Sequence, residues 1–118
     1  MNEANIVKRQ LDTIGNTVYL QEGSWNSMPF KASLSRLWRR KNSRFEKMLT
    51  ELGEVYSDYY LYVGPYNHNI CDLSDEALLI YDGVRYEFKC KDPVKINDET
   101  IYYSAILRRI TEADFDEN

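Results

Sequence analysis

The chain is poor in the residues from which most enzyme sites are built. It has one histidine, two cysteines, three prolines and five glycines among 118 residues. The glycines stand singly, so neither a phosphate-cradling loop nor a dinucleotide fingerprint is present, since both need several at fixed spacing. Structural zinc normally takes four ligands, whereas His68, in the polar loop Asn67-His68-Asn69, has at most Cys71 beside it in sequence. A nucleophile would need a positioned base, and only Cys71 or Cys90 with His68 could be combined. Asp72, Asp75, Glu76 and Asp82 are carboxylates of turn segments, where acids cap and solvate. No catalytic residue, metal or cofactor is expected, and no enzyme.

Other absences bound the surroundings. No run of about twenty apolar residues occurs, so no membrane-spanning helix is expected. The first residues lack the basic and then apolar stretches of a secretory signal. Two cysteines are few for a disulfide scaffold, and free, buried thiols are expected at Cys71 and Cys90.

What is present is ordinary for one globular domain: 43% hydrophobic and 29% charged residues. Ten tyrosines are many for this length. Tyrosine suits pleated strands and wet contact surfaces, and it suits equally the wall of a small barrel. The net charge of −4 argues against a surface built throughout for nucleic acid. Charge is nonetheless segregated. Lys31, Arg36, Arg39, Arg40, Lys41, Arg44 and Lys47 face a single acid, Glu46, within one stretch, while Glu112, Asp114, Asp116 and Glu117 close the chain.

Hydrophobic spacing organises the segments. Ile6, Val7, Leu11 and Ile14 share one side of a helix over residues 3–14, with Gly15 as its stop. A first strand follows over 16–21, before the turn Glu22-Gly23-Ser24. Phe30, Ala32, Leu34, Arg36 and Trp38 alternate with polar residues along a second. Residues 41–55 have helical spacing and are read as a short helix, with a loop as the alternative. Tyr56–Val63 is a strand expected to end at Gly64-Pro65, because proline cannot continue a central strand. Asp82-Gly83 between apolar runs signals a tight hairpin, whose second arm should bury Val84, Tyr86, Phe88 and Cys90. A last strand covers 101–110, after a polar turn at Asn97-Asp98.

The expected fold is mainly β, at the margin of α+β: a small antiparallel barrel or sandwich of about six strands. The helix covers 1–15, the β unit 16–110 and an acidic tail 111–118, in a single domain. The basic run Arg36, Arg39, Arg40, Lys41 and Arg44, with Trp38, has a composition that binds nucleic acid or an acidic protein ring. The same lysines and arginines would also keep a strand edge from unwanted pairing.

Three ordered stretches carry a resemblance: Ser57-Asp58-Tyr59-Tyr60-Leu61-Tyr62-Val63-Gly64-Pro65-Tyr66-Asn67-His68, then Tyr81-Asp82-Gly83-Val84-Arg85-Tyr86-Glu87-Phe88, then Ile101-Tyr102-Tyr103-Ser104-Ala105-Ile106-Leu107-Arg108-Arg109. With the strand from Phe30 to Arg40 they span about two-thirds of the chain, and the chain resembles the small head-to-tail connector proteins of long-tailed phages and PBSX-type defective prophages. Such stoppers are small β-barrels that form a ring beneath the portal and adaptor, help retain packaged DNA and dock the tail. The resemblance implies portal, adaptor and tail proteins as partners, self-association in the particle, possible contact with DNA, no membrane, and a place in the virion or in the bacterial cytoplasm during assembly. Tyr59, Tyr60 and Tyr62, with the basic run, would supply its adhesive surfaces. A nucleic-acid-binding accessory or regulatory protein is the alternative.

Overall fold

The computed structural model describes residues 3–37 and 59–110. Helix α1, Glu3–Ile14, starts with an acid in its first turn, where the positive end of the helix dipole favours one. It ends at Gly15, whose N–H donates to Leu11 O at 2.7 Å. A Cβ on Gly15 would come within 3.0 Å of the Ala32 carbonyl oxygen, so the residue permits a close pass of the helix end. Ala4 and Leu11, seven residues apart on one stripe, are the buried side of α1, which packs on three strands described next. Ile6 and Ile14 are exposed, the latter at 78%, which corrects the helix face expected from apolar spacing alone. The contact stripe runs from the small Ala4 through the half-buried Val7 to Leu11.

Seven strands follow: β1 Asn16–Glu22, β2 Trp25–Asn26, β3 Phe30–Arg36, β4 Tyr59–Pro65, β5 Leu78–Tyr81, β6 Val84–Ile96 and β7 Glu99–Arg109. Helix α1 lies against β3, β4 and β7. Six of the strands pair antiparallel in the order β1-β3-β4-β7-β6-β5, and β5 returns to β1 through Val18↔Tyr81 and Leu20↔Leu79. That last pairing closes the sheet, so the fold is a barrel and not a sandwich. The two-residue β2 extends the β3 side of β1, through Gln21↔Asn26 and Glu22↔Trp25.

Local chemistry sets the turns. Asp82 and Gly83 have φ of 52° and 76°, as the tight hairpin requires, and Asn97 and Asp98 repeat the arrangement at 52° and 67°. Inside the barrel, Val18, Leu20, Phe30, Ala32, Tyr62, Leu79, Tyr86, Tyr103, Ala105 and Leu107 form one core, sealed by Ile70 from the loop after β4. Their positions alternate along β1, β3 and β7, as a half-buried strand demands. A second, smaller cluster joins Tyr59 and Ile106, with Leu37 against them.

Two expectations are corrected here. Strand β4 continues through Gly64 and Pro65, which pair with Tyr103 and Tyr102. By then β3 has ended its pairing at Ser33↔Val63, so Pro65 has a strand on one side only, and its missing N–H interrupts no second ladder. In β6 the register shifts between Phe88 and Cys90, leaving Lys89 as an extra residue. The shift reverses the alternation, and Cys90 is exposed while Lys91 turns inward to donate to Leu73 O at 3.0 Å. The expected helix over 41–55, the start of the strand before Tyr59 and the tail 111–118 lie outside the described residues. No helix among the described residues is long and apolar enough to cross a membrane.

Candidate contact surface

Of the residues singled out by composition, the structure brings together Arg36 and Tyr60, ladder partners across β3 and β4. Arg36 is exposed at the strand end; Tyr60 is half-buried, edge-on to Tyr86 with ring centroids 5.1 Å apart. Tyr59 and Tyr62 are fully buried and present no surface to a partner. The aromatic run splits between the interior and the outer side of one strand, and both sides are covered. Burial also pushes the Tyr62 phenol well above its usual value. Trp38, Arg39, Arg40, Lys41 and Arg44 lie outside the described residues.

A different surface forms at the β2 end of the barrel. Two polar side chains hold its first wall. Ser27 Oγ accepts the Leu20 N–H at 2.9 Å and donates to Met28 O at 3.0 Å, while the Ser27 N–H donates to Leu20 O at 2.8 Å. These bonds pin the stretch after β2 against β1 and leave Trp25 and Met28 outside, 50% and 80% exposed. The second wall is the loop 66–74. His68 stacks on Phe30 with ring centroids 3.9 Å apart and planes 15° from parallel. Its Nδ1 lies 3.3 Å from Asn67 Oδ1, and its backbone N–H donates to Pro65 O at 3.2 Å. Tyr66 donates to Asn5 Oδ1 at 3.3 Å, tying the loop to α1. Asn69 Oδ1 accepts the Cys71 N–H at 2.9 Å, and Glu22 Oε2 accepts the Ser74 N–H at 2.6 Å.

Between the walls is an open groove of about 470 Å³, lined by Leu20, Trp25, Met28, Asn67, His68 and Leu73 among others. Burial first, and then the Lys8 ammonium, hold the His68 imidazole below its ordinary pKa, so at neutral pH it is an uncharged aromatic plate. The Ser74 hydrogen bonds lower the Glu22 pKa and keep that carboxylate charged. The groove therefore offers an indole, a thioether, an imidazole and the three amides of Asn26, Asn67 and Asn69, a set suited to holding an apolar side chain with polar flanks.

Neither thiol is buried. Cys71 and Cys90 are free and exposed, which corrects the expectation of core thiols: Ile70 takes the buried position beside Cys71, and the register shift turns Cys90 out. Burial of the sulfur, although partial, raises the Cys71 pKa, opposite to what a nucleophile needs. Among the described residues no three His, Cys, Asp or Glu side chains gather closely enough to hold a metal ion. Composition did not point to Trp25 and Met28. Their signal is a tryptophan directly after Glu22-Gly23-Ser24 and a methionine before Pro29, large apolar residues where a solvated turn needs none. Comparison with family models, with curated proteins and with solved structures finds no match.

Proposed function

We propose that this chain is a structural part of a phage or prophage particle: a head-to-tail connector or stopper that joins the portal–adaptor complex to the tail and helps retain packaged DNA. The reading rests on the resemblance of residues 57–68, 81–88 and 101–109 to such proteins. One observation supports a contact role independently of it. Trp25 and Met28 stand exposed beside a groove on a closed barrel, where burying them against a neighbour would remove apolar surface from water.

The test is made in the particle. Trp25→Asp with Met28→Asp should yield filled heads without tails, or heads that lose DNA, while the isolated chain keeps its circular dichroism and melting temperature. Particles that assemble and infect normally after the gene is deleted would sink the connector reading. The nucleic-acid alternative draws on the basic run between Lys31 and Lys47. It predicts DNA binding at low salt that weakens steeply as salt rises.

A further inference from the structure

Segments 17–30 and 66–77 build both walls of the groove, and their charges have one sign. They carry Glu22, Asp72, Asp75 and Glu76 and no lysine or arginine. Two cations come from elsewhere: Lys8 of α1 bears on His68, and Lys91 of β6 bears on Glu22. Both are already engaged. Lys8 pairs with Asp12 at 3.0 Å, and the Lys91 ammonium is held on Leu73 O at 3.0 Å. Among the described residues no cation comes within ion-pair distance of Glu22. The walls therefore favour an occupant of positive charge, which sets the groove against nucleic acid.

Glu22 joins the two walls. It is the ladder partner of Trp25 at the end of β1, and its Oε2 accepts the Ser74 N–H of the loop at 2.6 Å. Side chains of ladder partners stand on one side of a sheet with their Cβ atoms ~5 Å apart, so the carboxylate lies beside the half-exposed indole. The Ser74 bond takes one lone pair and leaves Oε1, with the second lone pair of Oε2, for a partner. A carboxylate next to an aromatic face fits a guanidinium, whose plane can lie on the ring while its fork of N–H groups meets both oxygens. A lysine ammonium is a point charge and lacks that planar fork. The Asn26 amide, exposed on the same wall, has an oxygen for a further N–H.

The chain's own arginines offer little to this groove. Arg36, Arg85, Arg108 and Arg109 each have a partner already, which leaves Arg9 on α1 among those described. A different protein is the better source.

We propose that the groove holds an arginine side chain of a neighbouring protein, its guanidinium stacked on Trp25 and hydrogen-bonded to Glu22. The inference rests on the contact role proposed above for Trp25 and Met28 and names the chemistry of what they meet. Titration of the isotope-labelled full chain with acetyl-arginine amide, read at the Trp25 indole N–H and the Ser74 amide, tests it. Both signals should shift and saturate. Acetyl-citrulline amide, which keeps the shape and loses the charge, should bind about fivefold more weakly, as loss of an exposed ion pair would. Glu22→Gln can still accept the Ser74 N–H, and it should weaken arginine binding about fivefold and remove its advantage over citrulline. Trp25→Leu should cost about as much, read at Ser74. The inference fails if the probe shifts neither signal, if citrulline binds as well as arginine, or if Glu22→Gln leaves the affinity unchanged. It fails too if the chain self-associates and Glu22→Gln dissolves the oligomer, because the occupant is then a second copy. None of these results touches the connector reading, which stands or falls on particle assembly.

Discussion

Gly64→Ala tests how tightly the barrel interior is filled. An added Cβ would collide with the hydroxyl and ring of Tyr62, including Cε1 at 2.7 Å. Tyr62 is fully buried and set edge-on to Phe88 with centroids 6.2 Å apart, so the ring has nowhere to swing. Gly64 is not in the left-handed region, so alanine can adopt its backbone conformation. Without the collision, Gly→Ala would stabilise the fold by about 0.4–1 kcal/mol through the unfolded chain. Overpacking of a filled core costs about 1–3 kcal/mol and should win. Urea denaturation should therefore show a net loss of about 1–2 kcal/mol with an unchanged slope, or a fall of roughly 3–8 °C in melting temperature. Adding Tyr62→Phe should recover part of the loss, since it removes the oxygen but leaves the ring carbons. A Gly64→Ala chain as stable as the parent would show that Tyr62 is not fixed over Gly64.

Two further outcomes follow from the groove and the loop. Burial holds the folded-state pKa of His68 below 6.5, so as pH falls the unfolded chain takes up the proton first. Stability from this group is complete above the unfolded value and is lost as pH falls through it toward the folded one. The parent should lose more stability than His68→Gln between about pH 8 and about pH 5, and parallel curves would refute the assignment. Both thiols should react with an aromatic disulfide reagent in the folded chain, Cys71 more slowly than an unhindered thiol because its pKa is raised; reaction only after unfolding would restore the buried reading.

Much of the fold is written in local pattern. The bounds of α1, the alternation of Phe30, Ala32 and Leu34, and the Asp82-Gly83 hairpin each depend on neighbours in sequence, and each is where spacing puts it. What escaped depends on distant partners. The extra residue Lys89 has no mark of its own, yet it reverses which side of β6 Cys90 occupies. Which stripe of α1 is buried was decided by the strands beneath it, where Ala4 fits and Ile14 does not reach. Composition left the tyrosines open between a contact surface and the barrel wall, and the structure puts Tyr59 and Tyr62 under cover on opposite sides of β4. The contact surface was missed for the same reason. Trp25 and His68, which line one groove, are far apart in the chain and meet only when the barrel closes.

The seam between β1 and β5 has a kinetic consequence. Val18 pairs with Tyr81, so closure must wait for residues some sixty positions downstream. Sequence separations of that size raise relative contact order, and barrels dominated by such contacts fold in milliseconds to seconds. The hairpins on either side can form within microseconds. On a ribosome, β1 would therefore emerge and wait with one edge exposed, and the interval before β5 arrives is when this chain is most open to aggregation.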